Sequence, residues 1–291
     1  MPEFYDPEVL SHLQKIEMDI LKDFIDICER HNLTYFGFAG TGIGALRHKG
    51  FIPWDDDIDV SLPRKDYEKL IHLVEEEMGD KYYMLNTAND INYPLATTRM
   101  CLRGTIFHEH AVKNVDCDWG IFLDLYALDN AADGKLAFKW QMWSAWFWSK
   151  LLILRSMPKP YLAFGGFKAK LVTAITSAVH YTMKFFHISK NWLIRRMNKA
   201  SQKYNDRETK RIGYFCDTKP DINLYTKEEI YPLRKLQFED IELPFENDLE
   251  KMLTFVYGDF MTMPPVEKRK THFPYKLDFG PYAPKSDKKE M

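Results

Sequence analysis

The apolar positions near the start of the chain fall at Leu10, Leu13, Ile16, Ile20, Leu21, Phe24 and Ile27. Such gaps place them on one helical face, so the spacing predicts an amphipathic helix over 8–30. Residues 35–39 form a short apolar and aromatic run, which predicts a strand. Gly40-Thr41-Gly42 interrupts it, and 42–48 predicts a short helix. Residues 58–62 alternate apolar with polar and predict a second strand, followed by a helix over 64–78. Further strands are expected at 82–86, 96–103 and 121–126. Strands alternating with helices predict an α/β (α+β) domain on a mixed sheet.

The pattern changes at 134–205. This segment contains no Asp or Glu and 13 Lys and Arg, so it carries +13 while the rest of the chain carries −15. It is also rich in aromatics, with Trp140, Trp143, Trp146, Phe147 and Trp148 in one apolar stretch and a second stretch at 171–188. Neither is a clean run of about 20 apolar residues, the length a spanning helix needs. Tryptophans among bases, with no acids, suit helices lying on an anionic membrane surface. A helix pair packed as a soluble subdomain is the alternative. The chain therefore divides into a core at 1–133, a basic aromatic helical insertion at 134–205, and a part at 206–291 that completes the core. The last residues, 285–291, are expected to form a loose tail.

Composition narrows the picture further. The 291 residues are 45% hydrophobic and 28% charged, with a net charge of −2. That balance excludes wholesale disorder and argues against a nucleic-acid binder. Cys28, Cys101, Cys117 and Cys216 form no C-x-x-C pair, which predicts reduced thiols. The N-terminus has neither the basic start nor the apolar run of a signal peptide. The expected location is cytoplasmic, peripheral at the inner face of the membrane.

The chemistry concentrates in residues 40–60. Asp57 and Asp59 are two apart, so in a strand both carboxylates point to one face, a spacing that suits oxygen ligation of a divalent cation. An acidic turn before an edge strand is the plainer reading. Asp55 and Asp56 precede the pair in an expected loop. Gly40, Thr41 and Gly42, between a strand and a helix, would present backbone N–H groups to a phosphate, with Arg47 and Lys49 adding positive charge. Asp124 lies within an apolar run, where a charge is costly unless paired, and is a candidate third ligand or base. Trp54 offers a ring face to a quaternary ammonium or packs in the core. Arg99 and Arg103 are expected on one face of a strand, reaching phosphates or surface carboxylates. His108-Glu109-His110 fits a structural strand better than a chelate.

The stretch GTGIGALRHKGFIPWDDDID, residues 40–59, resembles the LicD family of phosphorylcholine transferases, of the nucleotidyltransferase-fold superfamily and similar to the fukutin-related phosphotransferases. The pattern G-T-x-x-G-x-x-R-H-x-G-F-I-P-W-D-D-D-I-D is matched without a break. GIFLDLYALD at 120–129, VYGDFMTMPP at 256–265 and His272 extend the resemblance. It implies a nucleotidyltransferase-like core and transfer of a phospho-alcohol, most commonly phosphocholine, from a CDP-alcohol donor to a glycan acceptor, with CMP leaving. It implies that Asp57, Asp59 and Asp124 hold Mg²⁺, or Mn²⁺, that Gly40, Thr41 and Arg47 hold donor phosphates, and that His272 contacts phosphate or acceptor. Ribitol or glycerol phosphate transfer, a true nucleotidyltransferase, and a non-enzymatic membrane scaffold are the alternatives.

Overall fold

The computed structural model describes residues 5–160, 162, 165–269 and 271–284; the expected tail at 285–291 lies outside them. In chain order the elements are α1 (Pro7–Arg30), β1 (Phe36–Gly37), α2 (Ala39–His48), β2 (Asp59–Pro63), α3 (Arg64–Glu77), β3 (Tyr82–Leu85) and β4 (Thr98–Leu102). Then come β5 (Ile106–Glu109), β6 (Phe122–Ala131), α4 (Lys135–Ser156), α5 (Gly166–Phe185), α6 (Lys190–Ser201), β7 (Arg211–Tyr214) and β8 (Asn223–Thr226). The chain continues through α7 (Lys227–Ile230), β9 (Arg234–Phe238), β10 (Ile241–Phe245), α8 (Leu249–Tyr257) and β11 (Pro274–Asp278).

The apolar stripe of α1 is buried as its spacing predicts, and the Asp6 carboxylate caps the helix by accepting the Glu8 N–H. The main sheet runs β1-β2-β6-β4-β3, with β2 and β6 parallel and the other neighbours antiparallel. This is the expected α/β class with a mixed sheet. β6 is ten residues long and outlasts its neighbours. Its second half pairs with β7, which pairs with β8. The register matters most: Asp59 on β2 lies opposite Asp124 on β6, and Arg99 on β4 lies opposite Asp124 from the other side.

Two apolar clusters build the interior. One joins α1, α3 and the first half of the sheet; the other joins α4 and α6 to Phe36, Phe38, β7 and β8. The helices of 134–205 thus share an interior with the sheet. Residues beyond 206 also complete the first part: β11 pairs with β5, and the β9–β10 hairpin packs beside β1.

Several local expectations change. The strand expected at 35–39 shrinks to Phe36–Gly37, and α2 begins at Ala39, so Gly40-Thr41-Gly42 is the first turn of the helix rather than a turn before it. Small residues here allow close packing: a Cβ on Gly42 would lie 2.9 Å from the Leu249 side chain. Asp57 precedes β2 instead of lying within it. Arg103 falls beyond the end of β4, donates to the Gly79 carbonyl at 2.7 Å and covers the Tyr83 ring. It therefore does not share a site with Arg99. Among its described residues the insertion holds three helices, where its apolar stretches marked two.

Gly44 gives a direct test of the packing around α2. A Cβ there would sit 2.3 Å from the Gly50 carbonyl oxygen, a backbone atom that cannot swing aside. Gly44→Ala is expected to cost roughly 3 kcal/mol in urea unfolding, as overpacking does.

Glu246 gives a second. It is 2% exposed, and one of its carboxylate oxygens has no partner among the described residues. Burial pushes its carboxyl up to about 7, against the pull of Arg234. The unfolded chain releases this proton near the ordinary value of 4.5, while the fold keeps it until about 7. Stability is therefore complete below the lower value and is lost as pH rises through the upper one, by about 3 kcal/mol. Glu246→Gln is expected to match the parent near pH 4.5 and to melt at a higher temperature at pH 8.

Candidate active site

Asp57, Asp59 and Asp124 bring carboxylate oxygens within 4.8 Å of one another. The parallel register of β2 and β6 places two of them side by side, and the extended chain before β2 delivers the third. Asp59 Oδ1 is buried without a hydrogen-bond partner among the described residues. A second overlapping group joins Asp56, Asp57 and His272.

The electrostatics are those of an over-concentrated negative charge. Burial lifts Asp59 well above the usual carboxylate range, and Asp57 and Asp124 add to the rise. Burial carries Asp124 to about 6, with Arg99 opposing. Asp55 is raised by burial and then by Asp57 and Asp56. Asp57 alone goes the other way: burial pushes it up, but the charge and hydrogen bond of His272 more than reverse that. His272 is raised in turn, chiefly by Asp57, and its Nδ1 lies 3.1 Å from Asp57 Oδ2. Three convergent carboxylates, one with an orphaned oxygen, form an all-oxygen donor set that fits a hard divalent cation such as Mg²⁺.

Other groups brace the acidic loop. Asp56 accepts the Tyr5 hydroxyl at 2.7 Å and the His272 backbone N–H at 2.9 Å, so it ties the chain start and the 271–273 segment to the site. Gln14 on α1 donates to the Asp55 carbonyl at 2.9 Å. Glu17 on the same helix is 1% exposed, and burial, then Asp57, hold its carboxyl well above the usual range.

On the other flank stands Arg99, 4% exposed. Its Nη2 donates to Glu109 at 2.5 Å and its Nε contacts Asp124 at 3.3 Å. Its guanidinium lies 3.7 Å from the Phe122 ring centroid, and Nη1 has no partner among the described residues. Glu109 is the residue that sequence reasoning missed. His108-Glu109-His110 drew attention for its imidazoles, but the strand alternation of β5 turns Glu109 the opposite way to His108. His108 instead stacks on Trp119.

The N-terminus of α2 borders the acidic cluster. The Asp59 N–H donates to Thr41 Oγ1 at 2.9 Å, and the Phe38 N–H donates to the Asp59 carbonyl at 2.9 Å. A Cβ on Gly40 would stand 3.2 Å from Asp55 Oδ2, so the helix start abuts the acidic loop. Arg47, near the far end of α2, donates to the Phe260 carbonyl at 2.5 Å, and burial lowers its proton affinity although Asp55 opposes this. Lys49 caps that end in a left-handed conformation, exposed, about 15 Å of helix away from the first turn. Trp54 has the Arg269 guanidinium 4.2 Å above its ring, so a cation of the chain itself covers that face.

The structure thus gathers Asp57, Asp59, Asp124, Thr41, Gly40, Arg99 and His272, keeps Arg47 within electrostatic reach, and leaves Lys49 and Arg103 outside. The sequence matches a family model described as the LicD/FKTN/FKRP nucleotidyltransferase domain over residues 32–114, which include Thr41, the acidic loop, β2 and Arg99. It is 27% identical over 278 residues to the lipopolysaccharide cholinephosphotransferase LicD of Haemophilus influenzae, covering 90% of this chain and 95% of that one. An uncharacterized protein of Rickettsia typhi is 38% identical over 117 residues, 40% of this chain and 35% of its own. The domain match lies over the acidic loop and β2, and the likeness to the Haemophilus protein runs over nearly the full length of both chains, which together support placing the chain in the LicD family.

Proposed function

We propose that the protein transfers phosphocholine from a CDP-linked donor to a sugar hydroxyl of a cell-surface glycan such as lipopolysaccharide, or of its lipid-linked precursor, and releases CMP. The observation that carries this reading is the convergence of Asp57, Asp59 and Asp124 across β2 and β6. The Haemophilus relative, a lipopolysaccharide cholinephosphotransferase by name, supports the choice of alcohol and acceptor.

Asp57, Asp59 and Asp124 would hold Mg²⁺, which supplies charge neutralisation for a diphosphate. The chain's own groups do the rest. The first turn of α2 presents backbone N–H groups to phosphate oxygens. Arg99 Nη1 is a buried donor without a partner among the described residues, and charged His272 lies beside Asp57. The acceptor oxygen forms a bond to the phosphorus that carries choline. The bond from that phosphorus to the bridging oxygen breaks, and CMP leaves with the electron pair. The acceptor's proton needs a base, and the carboxylates gathered here supply candidates for it, with Asp124 oriented by Arg99. Positioning and charge neutralisation are what such a displacement requires.

The test is incubation with CDP-choline, CDP-ribitol and CDP-glycerol in turn, each with a lipopolysaccharide acceptor. CMP release with choline on the glycan is expected. Ribitol or glycerol on the glycan would change the alcohol. Pyrophosphate release from CTP would instead indicate a true nucleotidyltransferase, and no Mg²⁺-dependent nucleotide binding would leave a scaffold role. The site of action in this reading is the inner face of a membrane, reached through 134–205.

A further inference from the structure

Helix α4 is apolar on two faces. Phe138, Met142, Ala145 and Leu152 are buried against the interior. Leu136, Trp140, Trp143 and Phe147 point outward, with 82%, 70%, 52% and 49% of their surface exposed. A surface helix normally turns charged residues to that side. The outward residues and α6 line an open groove of about 1090 Å³ whose polar rim is made by Lys139, Arg196, Lys199 and Lys203, with no carboxylate among its lining residues. Next along the chain, α5 exposes Phe167, Leu171 and Ile175 at four-residue spacing, with Lys168 and Lys170 between them. Among the described residues no helix is long and apolar enough to cross a membrane.

We propose that the α4–α6 groove is a docking surface for an anionic lipid bilayer, with Trp140, Trp143 and Phe147 entering the interface and the rim cations meeting lipid phosphates. The physical argument is complementarity. Tryptophan and phenylalanine settle at the boundary between headgroups and acyl chains. Each cation near an anionic leaflet adds attraction. A groove that is cationic and free of acids repels a basic partner and gains nothing from a neutral one. A second copy of the chain would set the same cations against each other, which disfavours self-association through this face. The occupant chosen here deepens the proposed reaction, whose acceptor is glycan on a lipid, and rests on that reading only for its purpose.

The test uses the full chain with vesicles of phosphatidylglycerol or of phosphatidylcholine alone. Co-sedimentation and a blue shift of tryptophan emission are expected with phosphatidylglycerol at low salt, and little of either with phosphatidylcholine. The variant Trp140→Ser/Trp143→Ser/Phe147→Ser should bind at least about tenfold more weakly. Lys139→Glu/Lys203→Glu, which leaves the aromatics in place, should weaken binding by a similar factor and flatten its salt dependence. No binding to phosphatidylglycerol, or undiminished binding by both variants, overturns the proposal. So does a stable dimer of the parent that becomes monomeric in the serine variant without any vesicle binding. Turnover of CDP-choline with a delipidated, water-soluble glycan should be unchanged in the serine variant. Loss of vesicle binding with that turnover intact separates failure of the docking surface from failure of the reaction.

Discussion

Asp59→Asn is expected to abolish transfer, by about 10³-fold or more in kcat, while raising the thermal midpoint of the metal-free protein at neutral pH. The two effects share one cause. Asp59 sits with Asp57 and Asp124, its Oδ1 orphaned, and burial with those neighbours holds its carboxyl well above the normal range. Ionising it in the fold therefore costs stability that an amide does not. Because its folded value is raised, the sign is clear. Its stability contribution is intact at low pH and is lost as pH rises toward the folded value, so the gain from the amide should vanish under acid conditions. Mg²⁺ should act unequally on the two proteins. At a concentration 100 times its dissociation constant it should stabilise the parent by about 2.7 kcal/mol and the variant far less. Calorimetry with and without Mg²⁺, at two pH values, reads all of this without an activity assay. Equal midpoints in every condition, or near-parent turnover, would remove the cation from the site.

Arg99→Met is expected to be the most destabilising single change near the site, by about 4 kcal/mol at pH 8. The guanidinium is buried between Glu109 and Asp124 and packs over Phe122, so its removal strands two buried carboxylates. Arg99 lowers the proton affinity of Asp124, which is already near 6. Without that pull Asp124 rises further, and the penalty should shrink at pH 4.5, where the fold holds the proton in both proteins. Lysine should rescue little, since a point charge cannot span two carboxylates as a planar fork does. Adding Glu109→Gln should recover part of the loss, because the pair is directly coupled. Urea unfolding of the four proteins at both pH values is the measurement, and a loss below about 1 kcal/mol at pH 8 would contradict the buried network.

α1, α3, β2, β3, β4 and most of β6 are legible along the chain because each declares itself by its own periodicity. The unbroken motif over 40–59 likewise pointed to the acidic loop and to the glycines before it. Three things were not legible. Glycines in series signal a turn, whereas Gly40, Thr41 and Gly42 open α2, since close packing of Gly42 against Leu249 favours a small residue there. Arg99 and Arg103 share a strand-like spacing, yet β4 stops between them, so one is buried at the site and the other caps a surface carbonyl. Glu109 was hidden between two histidines.

The sequence by itself determined that a glycine-rich segment and an acidic loop stand close together, because both lie in one short span of chain. It also determined that 134–205 is basic, acid-free and aromatic. Only the tertiary structure decided which carboxylates meet. Asp59 and Asp124 are far apart in sequence, and a one-residue slip of β2 against β6 would have turned one of them to the other face. The same holds for Arg99 with Asp124 and for His272 with Asp57, pairs made by strand order and by the returning C-terminal segment. Local pattern encodes which side chains a segment can offer. Long-range pairing, set by burial of both sheet faces, decides which of them share a site.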